Sequence, residues 1–462
     1  PGANVLIVRI DDGVNAVKDR SVELMEKSWN KDQPYRAWMR KPQFVYGWDW
    51  TIWLPTCGIW KNVTIHSYAK CAIRDLYVET QFEGDEITKA ETITLNVHAD
   101  VETLKEGKYT LQCEVYGDAR YENETDSVAS GTIVADTAIS NTTQTGAEKN
   151  SHCFALQINN PKLWWPNGAG LPYLYLVKIS LLDEAGQVLQ CESMQYGIRT
   201  VSIKETVLDE RSRSFTFVIN DNPIFAKGAN HVPADCLLGR ITDEKNRALL
   251  TAAKEANMNM IRVWGGGIYE KEIFYDICDQ TGMLVWQDFQ FACSDIPDDY
   301  PGFTEQVIEE VEYQISRLQT RPSFFVATGG NEKTGTAGQL KSRGDHLVYY
   351  TICGMCHHLD GTRPYMPSSP YSFASIGNDL TSGDSHVNSY EPSIGKGRFK
   401  EFRDILAERE APMASEIAVQ GACRVEGLKK YIPEDKLWPV NDIYDLHFTR
   451  NPYDGTGTTF VE

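Results

Sequence analysis

The sequence predicts a multidomain chain, β-rich in its first part and α/β in its second, with the second part built as a parallel (β/α)8 barrel. Three observations predict it. Short alternating apolar runs, separated by turn-forming residues, occupy roughly the first 200 positions. From about residue 205, strand-like and helix-like segments take turns. Two of the strand-like runs, FFVATGGNE and APMASE, each end on a glutamate, Glu332 and Glu416. A carboxylate at the C-terminal end of a buried strand costs free energy unless it is used, and that end of a barrel is where functional side chains gather.

Residues 1–67 read as β. GANVLIVRI alternates apolar positions, PTCGIWKNVTI ends in another alternating run, and the aromatic GWDW lies between them. Residues 68–204 read as a sandwich of immunoglobulin type, because ETITLNVHAD, KYTLQCEVYG and YLYLVKISLLD belong to a set of about seven short strands. DTAISNTTQTGAEKNS is a polar loop within it. Residues 205–462 then read as the barrel. NPIFAKGAN is the first strand, followed by a helix starting near Asp243. MNMIRVWGG, MLVWQDF and FFVATGGNE are strands two to four. RPYMPSSPY, GDSHVNSY and APMASE are strands five to seven. An eighth strand is missing from this count. The expectation is therefore a piece of a longer protein cut at both ends, with IYDLHF as an alternative closing strand.

Composition narrows the function. With 462 residues, two to four domains are expected. A net charge of −19 argues against nucleic acid or an anionic membrane as partner. No apolar run approaches the roughly 18 residues of a membrane span. The 11 Trp and 22 Tyr suit a carbohydrate partner, whose C–H faces pack on aromatic rings, although most such residues in any protein serve packing. Eleven scattered cysteines do not form a disulfide framework. Cys353 and Cys356 make a CxxC in an apolar helical stretch without a second pair. His357-His358 lacks ligand spacing, and Gly265–Gly267 lacks the spacing of a phosphate loop.

Two glutamates at the ends of different barrel strands fit glycoside hydrolysis, which needs one carboxyl group as acid and one carboxylate facing the anomeric carbon. Glu332 is assigned as acid/base and Glu416 as nucleophile. Arg262, at the end of strand two, would keep Glu416 ionised. Asn331 has an amide placed to hold a sugar hydroxyl. Polar or aromatic residues recur at the other strand ends: Asn230 and His231, Trp264, Trp286 and Asp288, then Asp384, His386 and Tyr390.

Those residues also carry a resemblance. In RKPQFVYGWDW, PTCGIWKNVTI, NPIFAKGANHVPAD, RVWGGGIYE, WQDFQFACSDIP, GNE and RPYMPSSPY, from about residue 40 to 416, the chain resembles glycoside hydrolase family 2 and, within it, the β-mannosidases. The resemblance implies a jelly-roll sugar-binding domain, here only its C-terminal part, ahead of the sandwich and the barrel. It implies retention of configuration with no metal or organic cofactor, on terminal β-mannosyl residues. It brings Asp49 and Trp50 to the barrel mouth as a subsite for the terminal sugar, with Trp264 beside the −1 sugar and Asn331 near its 2-hydroxyl. Other substrate contacts are expected from Asn230, Asp288, His386 and Tyr390. An extracytoplasmic (periplasmic or secreted) or lysosomal location is favoured by resemblance alone. Alternatives are another family 2 β-glycosidase (a glucosaminidase or a glycoprotein endo-β-mannosidase) and a non-catalytic glycan-binding relative. Such enzymes usually carry a Trp shortly before the acid/base and a second Asn beside the first, where this chain has Thr328 and Gly330. After the nucleophile they usually read Phe-Gly-Phe, where this chain has Ile417-Ala418-Val419.

Overall fold

The computed structural model describes residues 5–11, 13–20, 34–48, 50–104, 107–122, 126–136, 150–333, 343–372, 378–386, 411–417, 424–439 and 441–443. Asp49, Tyr390, most of the polar loop after Asp136 and all but the first residue of IYDLHF lie outside these residues.

The aromatic segment forms a small hairpin of β1 (Tyr46–Trp48) and β2 (Thr51–Trp53). The strands expected at its flanks do not form among the described residues. Residues 5–10 and 61–65 are unpaired, with Val5, Ile7, Val63 and Ile65 more than half exposed. Alternation marks a face that needs covering, but a strand also needs a neighbouring edge to bond.

Seven strands follow in two antiparallel sheets: β3 (Cys71–Phe82), β4 (Thr92–Thr103), β5 (Lys108–Tyr116), β6 (Ala129–Asp136), β7 (Asn150–Asn159), β8 (Tyr175–Asp183) and β9 (Val188–Tyr196). One sheet has the order β3-β4-β7 and the other β6-β5-β8-β9. Along β4, Ile93, Leu95, Val97, Ala99 and Val101 are buried in strict alternation, and along β5 so are Tyr109, Leu111, Cys113 and Val115. The period of two puts each set on one face, and the two faces share one core with Val177 and Ile179 of β8. Three short antiparallel strands come next: β10 (Val201–Lys204), β11 (Thr216–Ile219) and β12 (Asn222–Ile224).

The remaining strands are parallel: β13 (Gly228–His231), β14 (Met260–Val263), β15 (Leu284–Asp288), β16 (Phe324–Thr328) and β17 (Tyr365–Met366) form one sheet in chain order, and β18 (Asp384–His386) pairs with β19 (Met413–Glu416). These are the seven strands expected, with one correction. NPI of the expected first strand belongs to β12, which turns back antiparallel on β11, so the parallel strand starts only at Gly228. Asn222–Ile224 can pair back through the turn at Asn220 and Asp221, which hold left-handed φ of 48° and 65°. A Cβ at Gly228 would sit 2.0 Å from the Met260 carbonyl, so only glycine lets β13 approach β14 there.

Helices Asp243–Glu255, Glu272–Thr281 and Pro301–Leu318 separate the parallel strands, and a π-helical turn at Leu347–Thr351 leads into helix Ile352–Leu359. Thr242 caps the first of these by accepting from the Lys245 N–H at 3.2 Å. Phe274, Ile277, Val307, Val311 and Ile315 turn inward and pack on Ile261, Val263 and Val285. Two sets of contacts, one buried and one half-buried, fix the antiparallel half against this half. Trp164 Nε1 donates to the Asp279 carbonyl at 2.8 Å, and Arg199 donates to the carbonyls of Pro322 and Phe324 at 3.1 and 3.0 Å.

Leu111 lies at the centre of the shared sandwich core with no exposed surface. Leu111→Ala is expected to lower unfolding free energy by about 2–5 kcal/mol, read from urea denaturation, with the midpoint moving and the slope unchanged.

Candidate active site

Each parallel strand delivers its side chains to the same end, and the polar residues gather around one guanidinium. Arg262, on β14, is 3% exposed. Its Nη1 donates to Glu416 Oε2 and to Asn230 Oδ1, both at 3.0 Å. Its Nη2 donates to Asp288 Oδ2 and to Asn331 Oδ1, both at 2.7 Å, and Nε reaches Asp288 Oδ1 at 3.3 Å. Burial alone would pull the Arg262 pKa down. Asp288, and then Glu416, reverse that and hold it above the usual arginine range. Burial pushes the Asp288 carboxyl above its usual range, against the pull of Arg262 and of the Gly265 N–H, which donates to Oδ2 at 3.0 Å. A buried guanidinium needs every N–H satisfied, and residues of β13, β15 and β19, with Asn331 beyond β16, supply the acceptors.

Glu332 sits just beyond β16 with φ 52°, a left-handed conformation. Its N–H donates to the Ser369 carbonyl at 2.8 Å, and the Ser369 N–H donates to the Gly330 carbonyl at 3.1 Å. Asn331 bridges Ala292 on one side and Ser369 on the other. Gly330, where a second Asn is usual, has φ 147°, and a Cβ there would lie 2.8 Å from both the Phe291 carbonyl and its Cβ. Thr328, where a Trp is usual, accepts a hydrogen bond from Trp286 Nε1 inside the strand array.

Both Glu332 oxygens are engaged. Oε1 meets His386 Nδ1 at 2.9 Å, and Oε2 accepts from the Cys293 thiol at 3.0 Å. His386 also lies 3.7 Å from Glu416 Oε2, so the imidazole bridges the two glutamates. Its Nε2 is 3.1 Å from Ser369 Oγ, and Ser369 and Ser415 each donate to Asp384 Oδ2 at 2.6 Å. Burial pulls the His386 pKa down, but Glu416 and Glu332 outweigh it and the net direction is upward. Nε2 also lies 3.5 Å from Arg262 Nη1, whose charge opposes that rise. Burial, then the Glu332 charge, raise the Cys293 thiol well above the usual range, so it stays protonated.

One oxygen of Glu332, one of Glu416 and a ring nitrogen of His386 all lie within 4.8 Å of one another. This trio has the donors a divalent ion would use, but Arg262 already places a fixed positive charge 3.0 Å from Glu416. The Glu332 and Glu416 side chains keep 24% and 20% of their exposure, while those of Arg262, Asp288 and His386 keep 3% or less. The two carboxylates are thus the part of the cluster that solutes reach.

The other expected contacts divide. Asn230 joins the cluster and also donates to the Ser415 carbonyl at 3.2 Å, linking β13 to β19. Asp288 is fully buried against Arg262, which leaves it no free face for a sugar. Trp264 is 5% exposed and meets Trp48 and Trp50 edge-on at 4.9 and 5.9 Å. Trp50 stacks on Phe44 at 5.5 Å, and the Phe44 N–H donates to the Gly266 carbonyl at 3.0 Å, so the N-terminal hairpin is seated on the loop after β14. His231 pairs with Glu270 at 2.9 Å, away from the glutamates. Cys293 and Arg36 were not singled out from sequence. Arg36 is fully buried, donates to the carbonyls of Ala292 and Cys293, and burial pulls its pKa down to about 10. Nothing but its place after β15, in WQDFQFAC, points to Cys293, and RKPQFVYGWDW begins only after Arg36. A cavity of about 1050 Å³ runs along β13 and β19 and reaches Arg262 and Asn230 between Phe217, Ile224, Met260, Trp286 and Ser415; the glutamates do not line it.

Comparison with known proteins fits this geometry. Residues 71–199 match the family model described as glycosyl hydrolases family 2, and residues 1–61 match that of the glycosyl hydrolase 2 galactose-binding domain-like unit. Residues 1–61 and 71–199 thus carry domains of the glycosyl hydrolase family 2 type. It is 33% identical over 435 residues to Beta-mannosidase B of Emericella nidulans, covering 89% of this chain and 47% of that protein. Against Beta-mannosidase B of Aspergillus oryzae it is 32% identical over 455 residues, covering 93% and 50%. The crystal structure of a Beta-D-Mannosidase from Dictyoglomus thermophilum superposes with a TM-score of 0.81 at 32% identity, covering 96% of this chain and 51% of that one. A Parabacteroides merdae Beta-Glucuronidase superposes at 0.55 with 16% identity, over 75% and 39%, a likeness of fold alone. The chain spans about half the length of the curated relatives it matches. No helix among the described residues is long and apolar enough to cross a membrane.

His386 gives a test by pH. Its folded-state pKa is raised, so the stability it contributes is full below the unfolded value of about 6.5 and is lost as pH rises through the folded value. The stability difference between the wild type and His386→Gln is therefore expected to be larger at about pH 5.5 than at about pH 9, by chemical denaturation at each pH.

Proposed function

We propose that this protein is a retaining exo-β-glycosidase acting on terminal β-D-mannosyl residues of oligosaccharides or glycoconjugates. The observation that carries the reading is the glutamate pair, whose nearest oxygens lie within 4.8 Å. That fits the roughly 5–5.5 Å carboxyl separation of retaining enzymes and is too short for a water to be activated between the groups. The choice of mannose rests on the relatives named Beta-mannosidase B and Beta-D-Mannosidase.

In this reading the seven parallel strands belong to one (β/α) barrel spanning 205–462, with a sandwich of immunoglobulin type at 68–204 and the C-terminal part of a jelly roll at 1–67. Glu416 attacks the anomeric carbon while Glu332 gives its proton to the leaving oxygen, and a glycosyl ester forms on Glu416. Water then attacks that carbon, with Glu332 taking the proton, and the ester bond breaks. Arg262, in contact with Glu416, supports the nucleophile and withdraws charge from the ester oxygen. Asn331, held by Arg262 and beside Glu332, is placed for the sugar's 2-hydroxyl. Asp49 and Trp50 close the terminal-sugar subsite, Trp264 flanks the −1 sugar, and Tyr390 is a further contact. The reaction calls on no metal or organic cofactor, and the partner is carbohydrate.

Two measurements test this. Aryl β-mannosides should release mannose with the β-configuration first, seen by NMR at early times. Glu332→Ala should lose about 10²–10⁴-fold of kcat on poor leaving groups and regain turnover on activated ones when azide is added, giving β-mannosyl azide. No turnover of any aryl β-glycoside by the wild type, or a first product of α-configuration, overturns the reading.

A further inference from the structure

The Glu332 carboxylate is gripped at both oxygens, and one of the two grips is a cysteine. Cys293 Sγ lies 3.0 Å from Glu332 Oε2, while His386 holds Oε1. The thiol is itself held. Asn331 Nδ2 donates to Sγ at 3.3 Å, which leaves the S–H proton to point at the carboxylate. The Cys293 backbone is fixed as well, with φ 47°, its N–H donating to the Asn331 carbonyl at 3.0 Å and its carbonyl accepting from Arg36 Nη2 at 3.4 Å. A left-handed non-glycine residue is strained and persists only where its surroundings impose it. Here two such residues, Cys293 and Glu332, face each other from different strand ends.

We propose that Cys293 is a positioning residue for the acid/base: its thiol proton orients the Glu332 carboxylate and favours its ionised form. The inference rests on the acid/base reading of Glu332. Its chemistry is that of a weak, neutral donor on one oxygen of a carboxylate whose other oxygen meets an imidazole. A neutral donor steadies the group without adding a second fixed charge beside Arg262 and His386, so Glu332 can still be protonated in each cycle. Cys293 is buried, at 7% exposure, so the thiol itself is shielded from bulk solvent.

The test uses Cys293→Ala and Cys293→Ser, each checked for an unchanged melting profile. With Cys293→Ala, kcat on poor-leaving-group aryl β-mannosides should fall about tenfold, while activated substrates, which need little acid assistance, change little. The donor favours the charged carboxylate, so its loss raises the Glu332 pKa and moves the alkaline limb of kcat/KM upward. Cys293→Ser keeps an O–H donor and should restore both the limb and the rate. Equal losses on both substrate classes with an unmoved limb overturn the proposal. A second readout does not depend on turnover. The Cys293 S–H stretch, isolated by Raman difference against Cys293→Ser, should shift to higher frequency in Glu332→Ala. An unshifted stretch overturns the hydrogen bond even in an active enzyme. A shifted stretch in a protein inert on every aryl β-glycoside upholds the contact and rejects only the glycosidase reading.

Discussion

The Arg262 guanidinium is the constraint on which the site depends. A buried cation is tolerated only if charge and hydrogen bonds surround it, and removing one partner of such a set costs more than the set contributes. Asp288 takes two of its N–H groups, Asn331 and Asn230 one each, and Glu416 the remaining contact. Those partners come from β13, β15, β19 and the segment beyond β16, so satisfying one side chain fixes the relative advance of the strands. Glu416 is then aimed by the same packing that keeps Arg262 satisfied.

The second glutamate is held by different means. Glu416 faces a permanent cation, whereas Glu332 faces an imidazole and a thiol. In the proposed double displacement the first contact suits a nucleophile and the second a carboxyl that exchanges a proton. His386 touches both and is tied through Ser369 to Asp384, so the two carboxylates sense each other through a ring as well as through space.

Much of this was legible in the sequence because it follows from strand ends. FFVATGGNE, APMASE and IRVW place Glu332, Glu416 and Arg262 by periodicity alone, and the same logic names Asn230, Asp288 and His386. It does not tell which of them line the site and which hold it. Asp288 and His386 read as substrate contacts but lie buried between other side chains, because partner choice depends on distances across strands. Alternation misled at GANVLIVRI and KNVTI, where a pattern fit for a strand has no paired edge among the described residues. Cys293 and Arg36 come from loops, where no period constrains direction. Thr328 and Gly330 depart from the usual residues for reasons of local packing: one accepts from Trp286, the other passes against Phe291 where a side chain does not fit.

The central claim is that the Arg262-held carboxylate of Glu416 is the nucleophile. A 2-deoxy-2-fluoro-β-mannosyl fluoride slows breakdown of a glycosyl ester more than its formation, so peptide mapping of the labelled protein by mass spectrometry reads the nucleophile directly. The account predicts a single 2-fluoromannosyl group on the peptide that contains Glu416, and its loss in Glu416→Gln. A label on Glu332 or any other residue, or turnover with no trapped ester, would contradict it.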